Sequence, residues 1–254
     1  VDGDLRARLV EAAEKALKRF PRRSSPGANG SRFEHWGLLA QDGPALRNGV
    51  EIIVSFLLGE VPEEALRANL GGRIVALRKP GGGVRPVAMG SVLRRLAARA
   101  GCSVLKERFK VAVGPHQYGV GRQAGCELVH KSVTALTDED PSRVVIAFDA
   151  TNAFGSLPRP KVWEAVQSRL PELSQTVLAW LGSPTVHVQW DEHGQAHSVK
   201  ATTGVDQGCP LSPLLFSLGL ADALHTISVE LAALDPSARV FAYLDDVVVV
   251  TPPG

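Results

Sequence analysis

The sequence predicts an α+β fold in which an antiparallel sheet packs on helices. Three observations predict it. Apolar residues recur at helical spacing through much of the first half. Two short segments carry hairpin signals. In the second half, brief β-branched runs break off at acidic residues. With 254 residues, 44% of them hydrophobic, the chain can bury one core or two closely packed subdomains.

Between Asp2 and Phe20, the residues Leu5, Leu9, Ala13, Ala16, Leu17 and Phe20 mark one face of an amphipathic helix, which Pro21 ends. Residues 22–32, with Ser24, Ser25, Pro26, Gly27 and Gly30, read as a loop. Helical pattern resumes over 33–70, interrupted by glycines and Pro62. Residues 73–77 read as a strand, Lys79-Pro80-Gly81-Gly82-Gly83 as a tight turn, and 84–88 as the returning strand. Ser91 is placed to cap a long helix reaching about Lys110.

Residues 144–148 suit a buried strand that stops at Asp149. Residues 158–170 and 171–181 read as two helices, each with proline near its start. Strands over 185–190 and 196–202 flank the turn Asp191-Glu192-His193-Gly194. A loop over 204–210 leads to a helix from about Ser212 to Leu234. The chain closes on an apolar strand over 240–243, the acidic turn Leu244-Asp245-Asp246, and an apolar strand over 247–251. There is no internal repeat and no low-complexity tract.

The net charge of +2, from 28 Lys and Arg against 26 acids, argues neither for nor against a polyanionic partner. Its distribution says more. Basic residues outnumber acids up to Lys131, clustering at Lys15, Lys18, Arg19, Arg22 and Arg23 and again at Arg94, Arg95 and Arg99. That asymmetry suits a phosphate-facing first half joined to a metal-holding second half. Cys102, Cys126 and Cys209 lie far apart with no C-x-x-C pair, which predicts reduced, packed thiols and no zinc site. No apolar run approaches the roughly 20 residues of a membrane span, and no signal peptide opens the chain, so a soluble intracellular protein without a membrane partner is expected. The chain begins at Val1 and holds a single methionine, Met89, as expected of a piece of a longer protein.

The acidic turn is the strongest anomaly. Asp245 and Asp246 sit between runs so apolar that burial on at least one face is expected, where like charges repel and call for a positive partner. Asp149, at the end of another short strand, would join them if the two strands were neighbours in one sheet. Hard oxygen ligands on a rigid sheet edge suit Mg²⁺. Two such ions about 4 Å apart can serve an in-line phosphoryl displacement. Taken alone, the Asp pair is equally well a plain turn, because Asp is a common turn residue.

It does not stand alone. Phe148-Asp149-Ala150-Thr151-Asn152-Ala153-Phe154, then residues 204–216 with Gly204-Val205-Asp206-Gln207-Gly208-Cys209-Pro210-Leu211-Ser212-Pro213, then Phe241-Ala242-Tyr243-Leu244-Asp245-Asp246, resemble the reverse transcriptases of non-LTR retrotransposons in order and spacing. The segment 74–95, with Lys79-Pro80-Gly81-Gly82-Gly83-Val84-Arg85-Pro86, and Ser25-Pro26-Gly27-Ala28-Asn29-Gly30 upstream resemble the same family. The resemblance covers nearly the whole chain. It implies a right-hand polymerase: a basic N-terminal helix or extension over 1–24, fingers with their connection over 25–143, and an incomplete palm over 144–254 that stops before the thumb.

Position by position, the resemblance implies that Asp149 and Asp245 bind two catalytic Mg²⁺ ions, with Mn²⁺ possible and Asp246 as the third carboxylate. Tyr243 would lie near the primer terminus. Arg78, Lys79 and Arg85 would clamp the triphosphate of the incoming dNTP, and Ala153, Phe154, Gln207 and Gly208 would complete its site. Phe154 matches the sugar-sensing position, where a ring fills the space of a ribose 2′-hydroxyl and so favours DNA synthesis; the alternative is that Phe154 is core. The implied partners are an RNA template, a DNA primer and dNTPs, in a retrotransposon ribonucleoprotein of the nucleus or cytoplasm.

Residues 116–130 match the region between fingers and palm, with no role for any single one. His187, His193 and His197 are expected on a solvated face, and the four tryptophans in the core. Two positions depart from the pattern. Asp206 stands where relatives usually carry a basic residue, placing an anion beside the nucleotide loop, and Asn29 replaces a common Asp. A non-catalytic RNA-binding remnant is the competing reading, favoured by Asp206 and the missing thumb. A group II intron-type reverse transcriptase is a third. A viral RNA-dependent RNA polymerase is disfavoured by Phe154 and the Tyr-Leu-Asp-Asp turn.

Overall fold

The computed structural model describes residues 3–253. Helix α1 (Gly3–Lys18) buries Leu5, Leu9, Ala13, Ala16 and Leu17, the stripe its spacing predicts; the expected start at Asp2 lies outside the described residues. Helix α2 (Phe33–Gly37) leads through a 3₁₀ turn (Leu38–Gln41) to α3 (Gly43–Leu58), where Asp42 accepts a cap bond from the Ala45 amide at 2.9 Å. Helix α4 (Glu63–Leu70) follows. The hairpin β1 (Gly72–Arg78) and β2 (Val84–Gly90) then hands over to α5 (Val92–Val113). Ser91 caps α5 as its position predicts, accepting from the Arg94 amide at 3.1 Å. Helices α1, α3 and α5 pack on one another around Ile53, Phe56, Leu96 and Phe109.

Helix α6 (Gly125–Glu139) has no counterpart among the expected elements and contacts β6, described below. Strand β3 (Val144–Phe148) leads into the single turn α7 (Ala153–Ser156), α8 (Arg159–Arg169) and α9 (Ser174–Leu181). The hairpin β4 (Thr185–Trp190) and β5 (Ala196–Ala201) precedes α10 (Ser212–Leu234), and β6 (Arg239–Tyr243) and β7 (Asp246–Thr251) close the chain. By length and composition alone α10 is long and apolar enough to cross a membrane, contrary to the expectation that no run is. Its first half, with Leu215, Phe216, Leu218, Ala221 and Leu224, is buried in the protein, while Ile227, Val229 and Leu234 are exposed.

Two sheets organise the molecule. One has the order β3-β7-β6, antiparallel throughout, and is backed by α6 and α10 against β6. The other has the order β2-β1-β4-β5. There the hairpin 185–201, expected inside the palm, joins the first-half hairpin through a parallel pairing of Arg73 with Val188. Nothing local in either sequence announces that pairing.

Strand β3 overturns one expectation. Val144, Val145, Ile146 and Phe148 are 42–54% exposed, because β3 is an edge strand with β7 on one side and no helix over it among the described contacts. The apolar run predicted burial, but burial also needs a covering layer.

The cysteines are free, Cys209 buried and Cys102 half-buried, with burial pushing the Cys102 thiol up to about 12. Cys126 is exposed rather than packed. Of the tryptophans, Trp180 is core, whereas Trp190 is 41% exposed with Arg73 stacked 5.9 Å from its ring centroid.

Candidate active site

The pairing register brings the acids together. Phe148 pairs with Val247 and Tyr243 with Asp246. The β3–β7 ladder ends at that pair, so Asp149 leaves β3 at the same end of the sheet at which β7 begins with Asp246. Asp245 occupies the turn beside them. Paired residues share a face of the sheet, so Tyr243 and Asp246 lie side by side at that end.

The turn itself is wetter than its sequence suggests. Val240, Phe241, Ala242, Val249 and Val250 are buried at the base of the hairpin, but Asp246 and Asp149 are exposed and Asp245 is half-exposed. Water therefore screens their repulsion, and the positive partner expected from burial is absent: among the described residues, none of the three carboxylates has a hydrogen-bond or ion-pair partner. Nor do three His, Cys, Asp or Glu side chains close into a ligand cluster among those residues. Three hard, uncommitted oxygen donors at one sheet end nonetheless fit a divalent cation chemically.

Beside the turn lies a cleft of about 300 Å³ lined by Asp245, Arg85, Phe154, Gln207, Gly208 and, at its margin, Asp206. A second cavity, about 370 Å³ beneath Trp163 and Leu178, shares none of these residues. Five predicted site residues thus meet in one cleft although they come from four distant segments. Backbone hydrogen bonds hold those segments together. The Ala88 amide donates to the Gln207 carbonyl at 2.7 Å, tying β2 to the 206–208 loop, and the Val205 amide donates to the Phe154 carbonyl at 2.8 Å. Gly208 sits at φ +114, and a Cβ there would stand 2.8 Å from the Ala88 carbonyl oxygen, so only glycine allows this approach.

Phe154 is half-buried. One side of its ring stacks on Phe216, with centroids 4.6 Å apart and planes 12° from parallel, while the residue also lines the cleft. Phe154 thus packs on the core and borders the cleft at once. Ala153 is buried beneath.

Of the expected triphosphate clamp, Arg78, Lys79 and Arg85 do not all face the cleft. Leu77 pairs with Arg85 and Arg78 with Val84, so Arg85 and Arg78 project from opposite faces, and Arg85 lines the cleft while Arg78 and Lys79 do not.

Asp206 stands beside the cleft, as its position in the sequence suggested, but its charge is not free there. Its side chain is 10% exposed, paired with Arg94 at 2.5 Å and His187 Nε2 at 3.1 Å. Burial alone would push the carboxyl up, but Arg94 and the His187 hydrogen bond outweigh it and hold Asp206 well below the usual carboxylate range. His187 is buried too, not solvated: its Nδ1 accepts from the Gly72 amide at 3.0 Å, leaving Nε2 to donate to Asp206. His193 and His197 are exposed as expected. Arg94 also donates to the Leu70 carbonyl, and its guanidinium lies 5.5 Å from the Trp180 ring centroid.

Sequence reasoning missed two further residues. Arg159, buried, donates to the Gly204, Leu181 and Ser183 carbonyls and so moors the loop before Asp206 to the start of β4. Gln117 is the other; a glutamine preceding an aromatic and a glycine was its only local signal. Asn29 makes an Asx turn, accepting from the Ser31 amide at 3.1 Å.

The fold and this cleft are those of the reverse transcriptase class. The chain belongs to the family described as reverse transcriptase (RNA-dependent DNA polymerase), whose pattern matches residues 77–253. Among its relatives are the retrotransposable element SLACS 132 kDa protein of Trypanosoma brucei gambiense, 30% identical over 96% of this chain, and the retrovirus-related Pol polyprotein from type-1 retrotransposable element R2 of Popillia japonica, 28% identical over 71%. The chain spans only 20% and 26% of those proteins' lengths. These retrotransposon relatives bear out the non-LTR resemblance of the motifs. Among solved structures, telomerase from Candida albicans, in complex with a telomeric RNA fragment, is similar over 76% of this chain and 39% of its own (TM-score 0.55, 12% identity). Apo telomerase from Candida tropicalis is similar over 72% of this chain and 44% of its own (TM-score 0.50, 13% identity). The shared fold is that of polymerase fingers and palm, and enzymes of this family generally depend on divalent metal ions.

Proposed function

We propose that this chain forms the nucleotide-adding site of an RNA-directed DNA polymerase of a retrotransposon, copying an RNA template from a DNA primer with dNTPs inside the cell, as a nuclear or cytoplasmic ribonucleoprotein. The single observation that carries this reading is the β3-β7-β6 register, which supports a shared site for Asp149, Asp245 and Asp246 beside the cleft. Residues 25–143 act as fingers, joined by the hairpin 185–201; the rest of 144–254 acts as palm, and residues 1–24 form a basic extension.

Asp149 and Asp245 hold two Mg²⁺ ions, or Mn²⁺, with Asp246 as the outer carboxylate. Bound there, the ions would supply Lewis acidity at the primer 3′ hydroxyl and at the leaving pyrophosphate. The chain's own residues do the rest. Arg85 offsets triphosphate charge inside the cleft, and Arg78 and Lys79 act from the hairpin tip. Gln207, Gly208 and Ala153 let the backbone approach the nucleotide closely. Phe154, braced by Phe216, fills the space that a 2′-hydroxyl would need. Tyr243, beside Asp246, meets the primer terminus.

Buried and charge-paired, Asp206 no longer favours a non-catalytic remnant. The test is primer extension on an RNA template with dNTPs and Mg²⁺ by the protein carrying this chain, beside an Asp245→Asn variant. Loss of about a hundredfold or more in rate is expected, and equal extension by both proteins would end the polymerase assignment.

A further inference from the structure

Gln117 lies between α5 and α6, outside every helix and strand, yet its side chain is only 1% exposed. The segment around it runs along the free edge of β6. The Ala242 amide donates to the His116 carbonyl at 2.9 Å and the Tyr118 amide to the Ala242 carbonyl at 2.7 Å, which makes a parallel bridge between Gln117 and Ala242. The Tyr118 ring packs on Phe241 at 5.9 Å. This anchors the backbone of Gln117 two residues away from the acidic turn.

From there its amide grips one residue at both ends. Gln117 Oε1 accepts from the Leu244 amide at 2.7 Å, and Gln117 Nε2 donates to the Leu244 carbonyl at 3.1 Å. The same Oε1 accepts from the Gly119 amide at 2.9 Å, closing a tight loop around the side chain. Leu244 stands at φ +56, a left-handed conformation that a bulky aliphatic residue rarely adopts unless its surroundings impose it. A primary amide presents a donor and an acceptor side by side, as the two backbone groups of one residue require. Gly119 completes the fit, since a Cβ there would stand 2.8 Å from the Leu244 nitrogen.

We infer that Gln117 is a positioning residue for the acidic turn: by satisfying both backbone groups of Leu244 it fixes the strained turn and so sets the direction in which Asp245 leaves it. The grip is a property of the fold. Its effect on catalysis rests on the polymerase reading above.

The test uses Gln117→Met, which keeps the side chain's length and removes its hydrogen bonding, and Gln117→Glu, which keeps the acceptor and removes the donor. In Gln117→Met the Leu244 and Gly119 amides are expected to exchange with deuterium about tenfold faster or more, while the Val249 amide in the strand core keeps its protection. Gln117→Glu should restore part of the Leu244 protection. In primer extension, Gln117→Met should lower kcat about tenfold with KM for dNTP within about twofold, the mark of lost alignment rather than lost binding.

Wild-type exchange at Leu244 in Gln117→Met would overturn the inference, as would faster exchange with an unchanged kcat. Should Gln117→Met fail to fold, Gln117→Glu alone decides, by whether the Leu244 amide stays protected while kcat falls. Asp245→Asn separates the two readings: full activity in that variant sinks the polymerase assignment and leaves the exchange result on Gln117 standing.

Discussion

Asp206 and Arg94 form an ion pair 2.5 Å apart with 10% and 4% of their side chains exposed, Asp206 lying within the loop that lines the cleft. Their positions lie 112 residues apart in sequence. The pair joins α5 to the 204–208 loop, and His187 extends it to β4. A charge that reads as a defect beside a triphosphate is therefore an internal strut.

Removing one partner leaves the other charge buried and alone. Asp206→Ala is expected to destabilise the chain by about 3–5 kcal/mol. Asp206→Arg, which places there the kind of residue that the family resemblance implies, should be worse, because it sets a second cation against Arg94. Chemical denaturation of the three proteins measures this; an Asp206→Arg variant as stable as wild type would show that the pair contributes nothing.

The same pair predicts a pH dependence. With its carboxyl held below the ordinary range in the folded protein, Asp206 contributes stability in full above the unfolded carboxyl value of about 3.9 and loses it as pH falls toward the folded value. The stability gap between wild type and Asp206→Asn should thus be widest near neutral pH and narrow steadily below about pH 4. Urea midpoints taken across that range check it, and a gap that stays constant down to about pH 2 rejects the coupling.

Phe154→Ala opens the cleft where the ring stands between Phe216 and the nucleotide side. Ribonucleotide incorporation relative to deoxynucleotide should rise by about tenfold or more. Stability should fall too, by about 2 kcal/mol, from the lost stack and burial of a half-exposed ring. Unchanged sugar selectivity alongside the stability loss would leave Phe154 a packing residue only.

The opposite faces taken by Arg85 and Arg78 give a sharp contrast. Arg85→Ala is expected to raise KM for dNTP about tenfold, whereas Arg78→Ala should change it by less than about threefold. Equal effects would mean that the hairpin twists to bring both cations to the triphosphate.

How much of this was legible in sequence follows from the range of each interaction. Ser91 as a cap, the β1–β2 turn and the extent of α10 are local, and the structure agrees with them. So are the strands that present Asp149 and Asp245, although their pairing is not. Burial of β3 was misjudged because a strand's own residues do not say whether it ends at an edge. Asp206 was misread because its partners, Arg94 and His187, come from other elements. Gln117 carried almost no signal, since its importance lies in two backbone groups of a residue 127 positions away. Arg78, Lys79 and Arg85 were grouped by charge, and the alternation of a strand divides them.

The hydrogen bond from the Ala88 amide to the Gln207 carbonyl couples movements. The Val205–Phe154 bond and the Arg94–Asp206 strut lock β2, α5, the 204–208 loop and the Phe154 ring into one stiff block. The acidic turn is moored to the same block through the His116–Gly119 segment that follows α5. The width of the cleft is therefore a property of the whole frame, and a change at any one joint is felt across it.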